Sequence, residues 1–255
     1  MSPKLLKQLE KCRKTRHFSS GFVIPQSGIM GVSMNWQEHI ESMENEFKEL
    51  LSKVSEITKP PGYKKEASNF RLFAPDGLCK IINFQKNKWN TKEHLEFVIN
   101  AGIYFEKNTA IENRKFKEYE CQIRKRFDRR IDGEKSRQRV LDTMLPAGIL
   151  FQSGSREIWW CIDRNTDADV LFESVRNALG HIFEWFNIFT DKETVIEMML
   201  NGKAKQYTDV NVMAYGNAKL LVDMGYGERV YPLIKDGENK AEIWRELIKQ
   251  INSMV

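Results

Sequence analysis

The stretch Ser155-Arg-Glu-Ile-Trp-Trp-Cys-Ile-Asp163 decides the fold class of this chain. It is the last of several short β-like runs between Lys80 and Phe189, and a strongly apolar helical pattern follows it. Strands followed by helices in this order are typical of α+β proteins, in which helices cover an antiparallel sheet. We therefore expect an α+β fold with an antiparallel β-sheet of about five strands, packed by an N-terminal helix and the following helices, with a C-terminal helical block.

Strand signals precede and include this stretch. Pro75-Asp76-Gly77 supplies turn chemistry between the first two strands, which predicts a hairpin. The run at residues 95–105 is rich in Val, Ile and aromatic residues, so we expect it to be buried on both faces at the centre of the sheet. The predicted strands cover residues 70–73, 78–85, 95–105, 119–127, 149–151 and 158–162.

Helical periodicity occurs both before and after the predicted strands. Apolar residues recur every three or four positions at 36–54, and Asn35 is the expected N-cap, while Lys59-Pro60-Pro61-Gly62 ends the helix. Further helices are predicted at residues 169–186, 191–200, 209–224, 227–235 and 239–254. We accordingly divide the chain into a mobile basic extension at 1–33, an α+β core domain at 34–203 and a C-terminal helical appendage at 204–255.

Composition favours a globular protein, because 41% of the 255 residues are hydrophobic and 29% are charged. The net charge of +5 is a weak indication of an anionic partner. No run of about 18 apolar residues occurs, so we expect no membrane partner. The basic N-terminus is not followed by a continuous apolar region, and the four cysteines are widely spaced, so cytoplasmic residence with free thiols is expected.

Catalytic motifs are missing from the sequence. The four histidines are isolated, no Gly-x-Ser-x-Gly elbow occurs, and Gly225-Tyr-Gly227 lacks the pattern of a phosphate-binding loop. Cys121 and Cys161 fall in predicted strands, where we expect them to be buried as small apolar residues. We therefore predict no catalytic residue, no metal site and no cofactor, and a non-enzyme is favoured over an enzyme.

A basic segment at residues 114–139 is the strongest signal for binding. It contains eleven Lys and Arg residues against five Asp and Glu residues. Arg124 and Arg126 alternate onto one strand face and could hold phosphate or carboxylate, and aromatics such as Trp159 could add stacking. The interleaved acids equally suit internal ion pairs on a solvated face.

Polar residues also lie within otherwise apolar strands. Asn83, Gln85 and Asn100 fall inside two of the most apolar predicted strands. A buried amide must find hydrogen bonds, so these side chains either brace a neighbouring loop or contact a ligand.

Four short segments carry a resemblance to a known family: Ile82-Asn-Phe-Gln85, Asn100-Ala-Gly-Ile-Tyr104, Cys121-Gln-Ile-Arg-Lys-Arg126 and Trp159-Trp160. In this order they resemble DUF4304, a bacterial domain family of unknown function, over about residues 36–196. The resemblance implies a compact α+β protein and transfers no activity or catalytic residue. The candidate binding residues are Asn83, Gln85, Tyr104, Arg124, Arg126 and Trp159.

Our preferred hypothesis is a non-enzymatic cytoplasmic protein whose basic, aromatic sheet face binds a protein partner in toxin immunity or phage defence. One alternative is a nucleic-acid-binding protein that uses the same face. Another is an enzyme for a small anionic substrate, which would require carboxylates such as Glu120, Asp128 or Asp163 to converge with arginines. The sequence makes no prediction of oligomeric state.

Overall fold

The computed structural model describes residues 36–91, 93–112, 114–129, 159–235 and 242–253. Within these ranges the elements follow the predicted order of one helix, a set of strands and then further helices. This confirms the α+β class and the antiparallel sheet. The predicted extension at 1–33 and the predicted strand at 149–151 lie outside the described residues, and the division at residues 203 and 204 stays a prediction.

The described part of the chain contains six strands and six α-helices. The strands are β1 (Lys64–Glu66), β2 (Asn69–Phe73), β3 (Leu78–Lys86), β4 (Leu95–Phe105), β5 (Ile123–Phe127) and β6 (Trp160–Ile162). The helices are α1 (Trp36–Thr58), α2 (Ala168–Asn187), α3 (Lys192–Leu200), α4 (Tyr215–Asp223), α5 (Gly227–Ile234) and α6 (Glu242–Asn252).

All strand pairs in the sheet are antiparallel, in the order β1-β2-β3-β4-β5, and β6 also pairs with β4. β4 is therefore the central strand, as its apolar sequence predicted. The β2–β3 turn contains Gly77, whose φ of 84° lies in the left-handed region that glycine adopts without strain. The predicted hairpin is confirmed.

The two strands β5 and β6 share one edge of β4. β3 pairs with β4 along the other edge, where Lys86 lies opposite Phe97. On the shared edge Ile99 pairs with Phe127, and Phe97 pairs with Trp160. Because both strands run antiparallel to β4, β6 continues the line of β5. β5 thus ends at residue 127, and β6 begins on the same line at residue 160.

The hydrophobic core lies between one sheet face and the helices. Trp160 is fully buried, stacks on Phe97 with ring centroids 5.7 Å apart, and donates from Nε1 to Ser174 Oγ of α2 at 2.7 Å. Phe47 of α1 meets Phe97 edge-on at 5.3 Å. The prediction that one of the paired tryptophans anchors the core against the following helix is confirmed, and Trp160 is that residue.

Side-chain caps fix where the helices begin. Asp167 accepts hydrogen bonds from the backbone N–H groups of Asp169 and Val170 at the start of α2. Asp191 accepts from the backbone of Thr194 at the start of α3. Among the described residues, no helix is long and apolar enough to cross a membrane.

The largest differences from the predicted strands concern β1 and β5. β1 was missed, because its sequence, Lys64-Lys-Glu66, is charged and exposed and carries no apolar alternation. The strand predicted to begin at Tyr119 begins at Ile123 instead, since Glu118–Glu120 form a short 3-10 helix. This short helix belongs to the 106–122 loop, which crosses the sheet face opposite the helices.

Candidate functional site

A row of polar side chains crosses the sheet on the face opposite the helices. The strand register places Asn69 beside Asn83, Asn83 beside Asn100, and Asn100 beside Arg126. These residues come from β2, β3, β4 and β5. Together with Gln85, which also lies on β3, they form what we call the polar row.

Hydrogen bonds run along the polar row from strand to strand. Asn83 Nδ2 donates to Asn69 Oδ1 at 2.8 Å, and Asn100 Nδ2 donates to Asn83 Oδ1 at 3.3 Å and to Gln85 Oε1 at 2.8 Å. Arg126 donates from Nε to Asn100 Oδ1 at 2.9 Å and from Nη2 to Gln85 Oε1 at 3.3 Å. The guanidinium group is therefore held by two amide oxygens.

Exposure varies along the polar row. Asn100 is only 3% exposed, whereas Asn83 and Arg126 are half-buried and Gln85 is exposed. No described residue accepts a hydrogen bond from Gln85 Nε2, so this amide has donors to offer. The buried centre of the row braces its partly exposed members, while contact with a ligand stays a prediction.

An acidic side chain lies close to the two arginines. Burial raises the pKa of Glu118, and the charges of Arg124 and Arg126 oppose that rise. The basic face is therefore partly neutralised. Arg124 Nε is buried without a hydrogen-bond acceptor among the described residues, although native structures usually satisfy such donors.

The outer edge of β5 is covered by the segment that follows α3. Thr208 Oγ1 donates to the carbonyl oxygen of Arg124 at 2.7 Å, and Asp209 Oδ2 accepts from the backbone N–H of Arg126 at 2.8 Å. These contacts occupy backbone groups that an added strand would need. A partner would consequently reach Arg124 and Arg126 through their side chains.

Tyr104 lies apart from the polar row, beneath the 106–122 loop. Its ring stacks on Phe116 with centroids 3.9 Å apart, its hydroxyl donates to Glu106, and the residue is only 4% exposed. Burial, followed by the neighbouring Glu106 carboxylate, raises the Tyr104 pKa above its ordinary value. Its contacts hold the loop against the sheet.

The remaining candidate, Trp159, is half-buried and directly precedes β6. Of the six candidate residues, the structure gathers Asn83, Gln85 and Arg126 in the polar row. Arg124 lies two positions before Arg126 on β5, opposite Gly102 of β4. The position of Trp159 immediately before the strand distinguishes it from Trp160, which is fully buried.

The carboxylates of the enzyme alternative lie in different surroundings. Glu120 lines a cleft of about 430 Å³ together with Arg114, and Asp128 lines another of about 570 Å³ together with His181. Asp163 instead lies 3.9 Å from the Cys161 sulfur. The described residues therefore bring no two of these three carboxylates into one of these sites.

A second cluster was missed in the sequence. His94, Cys161 and Asp163 have ligand atoms within 4.8 Å of one another. His94 and Cys161 lie 67 positions apart, too far for a spacing motif to reveal. One sequence signal could have pointed to this cluster. Cys161 and Asp163 flank the buried Ile162, and this alternation places both side chains on the sheet face away from the core.

Cys161 also differs from its expected environment. Cys161 is half-buried on the sheet face opposite the helices, whereas Cys121 is buried as predicted. Burial is the main cause that raises the Cys161 pKa to about 11; the Asp163 and Glu96 carboxylates add to it, and Arg129 opposes it. The thiol is therefore protonated at neutral pH when no cation is bound.

Comparisons with known proteins identify a family without an activity. No curated protein and no solved structure matches this chain. The family model described as a domain of unknown function, DUF4304, matches residues 54–188, which is more than half of the 255 residues. The matched region includes every described strand and the last residues of α1, from 54 to 58, and it extends through α2 to residue 188. The chain therefore belongs to the DUF4304 family.

Proposed function

We propose that this protein is a non-enzymatic binding protein whose polar row, with Arg124 and Trp159, contacts a protein partner. One observation carries the proposal: the hydrogen-bonded row spans four strands on the sheet face opposite the helices. A row fixed in this way loses little conformational freedom when a partner binds. It therefore offers preorganised hydrogen-bonding groups.

The chemistry of the polar row suits a polypeptide. The half-buried Arg126 guanidinium can donate to a carboxylate or a main-chain carbonyl, and the exposed Gln85 amide offers further donors. Tyr119 follows Glu118 directly and is 61% exposed, so an aromatic contact lies close to the arginines. Tyrosine and arginine are enriched among residues that dominate binding energy at protein interfaces. We propose an acidic protein segment as the occupant.

The local charge balance favours a protein over nucleic acid. Affinity for nucleic acid comes largely from cations that neutralise phosphates. Here Glu118 already acts on Arg124 and Arg126, and two amide oxygens hold the Arg126 guanidinium. This face is therefore better suited to binding a protein through hydrogen bonds than to binding nucleic acid by neutralising phosphate charges. The proposed setting of toxin immunity or phage defence, in the cytoplasm, rests on this binding role and on no particular residue.

A pull-down from bacterial lysate, with and without nuclease, tests the proposal. The baits are wild type, the Arg124→Ala/Arg126→Ala double variant and Arg176→Ala. Arg176 is a matched control because it lies on α2, is 61% exposed and pairs with Glu173. We expect wild type and the control to retain a nuclease-resistant protein that the double variant loses. A charge-assisted hydrogen bond contributes about 1.5–3 kcal/mol, so affinity should fall about tenfold or more.

Several outcomes contradict the proposal. Equal retention by the double variant would remove the basic face from the site. Nuclease-sensitive recovery would favour nucleic acid, and fluorescence anisotropy with labelled RNA and DNA at low salt would then measure the affinity directly. Recovery of no partner would count against a protein ligand and would make a small anionic ligand the next hypothesis. Circular dichroism of each variant establishes that lost binding is not lost folding.

A further inference from the structure

Pairing between β4 and β6 brings three metal-binding side chains together at one end of the sheet. Glu96 of β4 lies opposite Cys161 of β6. His94 immediately precedes β4, and Asp163 immediately follows β6. The cluster therefore depends on strand register rather than on sequence spacing. Its three members are partly or largely accessible, which leaves a path for an ion.

We propose that His94, Cys161 and Asp163 bind a zinc-class divalent metal ion. Zinc bonds of about 2.0–2.3 Å place the ligand atoms of a tetrahedral site about 3.4–3.6 Å apart. The Cys161 sulfur lies 3.1 Å from His94 Nδ1 and 3.9 Å from Asp163 Oδ2, so the observed distances bracket this value. His94 Nε2 lies 3.6 Å from the same sulfur, so the imidazole ring would have to turn before Nδ1 could share an ion with Cys161 and Asp163.

The outer contacts of His94 are those of a metal-bound imidazole. His94 Nε2 lies 3.0 Å from Glu96 Oε1, and Asn87 Nδ2 donates to Glu96 Oε2 at 2.8 Å. A ligating histidine usually donates its other ring N–H to a carboxylate, which fixes the ring and its tautomer. This geometry assigns Nε2–H to Glu96 and leaves Nδ1, the nitrogen nearer to Cys161, for the metal.

Asp163 is oriented in a similar way. Its Oδ1 accepts from the backbone N–H of Asn165 at 2.8 Å and from Thr166 Oγ1 at 3.1 Å. Its Oδ2 is the oxygen that faces Cys161. One carboxylate oxygen is therefore occupied by the turn after β6, while the other points into the cluster. The ligand atoms of His94, Cys161 and Asp163 thus lie within 4.8 Å of one another, with His94 and Asp163 each held by a further hydrogen-bonding partner.

The donor set selects the kind of metal. A sulfur, an imidazole nitrogen and a carboxylate oxygen suit zinc or cobalt, whereas magnesium and calcium prefer oxygen ligands alone. Three protein ligands leave one tetrahedral position for water or for another group. Coordination requires the thiolate, so binding would release the Cys161 thiol proton to solvent.

A nucleophilic cysteine is the rival use of the same side chains, because Cys161, His94 and Glu96 are arranged as a thiol, a base and an orienting acid. Reactive thiolates occur in electropositive surroundings. Here the carboxylates of Asp163 and Glu96 lie on either side of the sulfur and the imidazole, although Arg129 opposes them. A divalent cation would be attracted by these carboxylates, whereas a thiolate would be repelled.

Cobalt titration of the full chain, stripped with a chelator, tests the metal proposal. We expect wild type to bind one equivalent, with a sulfur-to-cobalt charge-transfer band in the ultraviolet and tetrahedral bands in the visible, and zinc to displace both. Cys161→Ser should abolish the charge-transfer band. Glu96→Gln should keep the band and weaken affinity about 10–100-fold. His94→Gln and Asp163→Asn should weaken affinity further.

His181→Gln is the matched control, because His181 is 47% exposed on α2 and His94 is 46% exposed. It should leave the titration unchanged. Absence of the charge-transfer band in wild type, or an unchanged band in Cys161→Ser, would overturn the proposal. Rapid alkylation of Cys161 by iodoacetamide without metal binding would favour the nucleophile instead. If Cys161→Ser fails to fold, His94→Gln and Asp163→Asn still decide the result.

The metal proposal stands apart from the proposed partner. None of its three ligands belongs to the polar row, and the titration needs no partner protein. A failed pull-down with a positive cobalt titration would remove the binding function alone. A partner retained in the presence of chelator, with a negative titration, would remove the metal site alone.

Discussion

The two faces of β4 differ in the interactions that stabilise them. Odd-numbered residues such as Phe97 and Ile99 pack against the helices and are fully buried. Even-numbered residues carry the polar side chains Glu96 and Asn100, the close contact at Gly102 and the buried ring of Tyr104. One face is thus stabilised by apolar burial, while much of the other depends on specific hydrogen bonds. The chemistry that can recognise a ligand lies on the second face.

The even-numbered face is itself divided along β4. At the C-terminal half of the strand, the 106–122 loop packs Phe116 onto Tyr104. At the N-terminal half lie the polar row and the His94 cluster. The N-terminal half of β4 pairs with the end of β5 and with β6. Both proposed sites therefore lie near the interruption in the sheet edge.

The largest expected loss of stability follows from a substitution on the helix-covered face of the sheet. Trp160→Ala should lower the free energy of unfolding by about 3–5 kcal/mol, because it removes a buried ring and leaves a cavity. It also removes the hydrogen bond to Ser174. Urea denaturation would measure the loss as a lower midpoint. Trp89→Ala is the control, since Trp89 is 76% exposed; an equal loss in both variants would contradict the comparison.

A smaller loss of stability is expected from a substitution where the 106–122 loop contacts the sheet face opposite the helices. A Cβ at Gly102 would lie 2.6 Å from Cys121 Sγ and 2.9 Å from Cys121 Cβ. Gly102→Ala should therefore destabilise the protein by about 1–3 kcal/mol. In a double-mutant cycle, a Cys121→Gly background should reduce that loss.

Gly180→Ala is the control for this substitution. Gly180 lies within α2, and an added Cβ there meets nothing within 4 Å. It should raise stability by about 0.5–1 kcal/mol, because alanine favours the helix. A Gly102→Ala protein as stable as wild type would show that the loop contact with the sheet is loose.

The smallest effect concerns charge beside the polar row. Because burial raises the folded-state pKa of Glu118, its stability contribution is complete below the unfolded value of 4.5 and is lost as pH rises through the folded pKa. Glu118→Gln should therefore raise stability slightly at pH 7, within about 0.5 kcal/mol, and the gain should vanish towards pH 4. Denaturation at both pH values would measure it.

Glu228→Gln provides the comparison for losing an exposed carboxylate elsewhere. If Glu118→Gln is instead less stable than wild type at pH 7, attraction to Arg124 and Arg126 outweighs burial. That result would mean that the arginines are more fully neutralised than proposed, and it would weaken the case for an acidic partner.

Local patterns predicted the regular elements well. β4 was predicted at residues 95–105, where it lies, because a run rich in Val, Ile and aromatic residues suits a strand buried on both faces. The helix at 192–200 was likewise predicted, at 191–200, with its capping residue Asp191 counted as the first helical residue. For the candidate site, Asn83, Gln85 and Asn100 were singled out as polar residues inside apolar strands and Arg126 as part of the basic segment, but nothing local showed that they and Asn69 would form one hydrogen-bonded row.

By itself, the sequence determined the α+β class and the order of the predicted strands and helices along the chain. Those features depend on periodicity over a few neighbouring residues. Only the tertiary structure decided that β6 continues β5, that five polar side chains form one row, and that His94 meets Cys161. The reason is physical: strand register joins residues far apart in the chain, and no local pattern encodes that pairing.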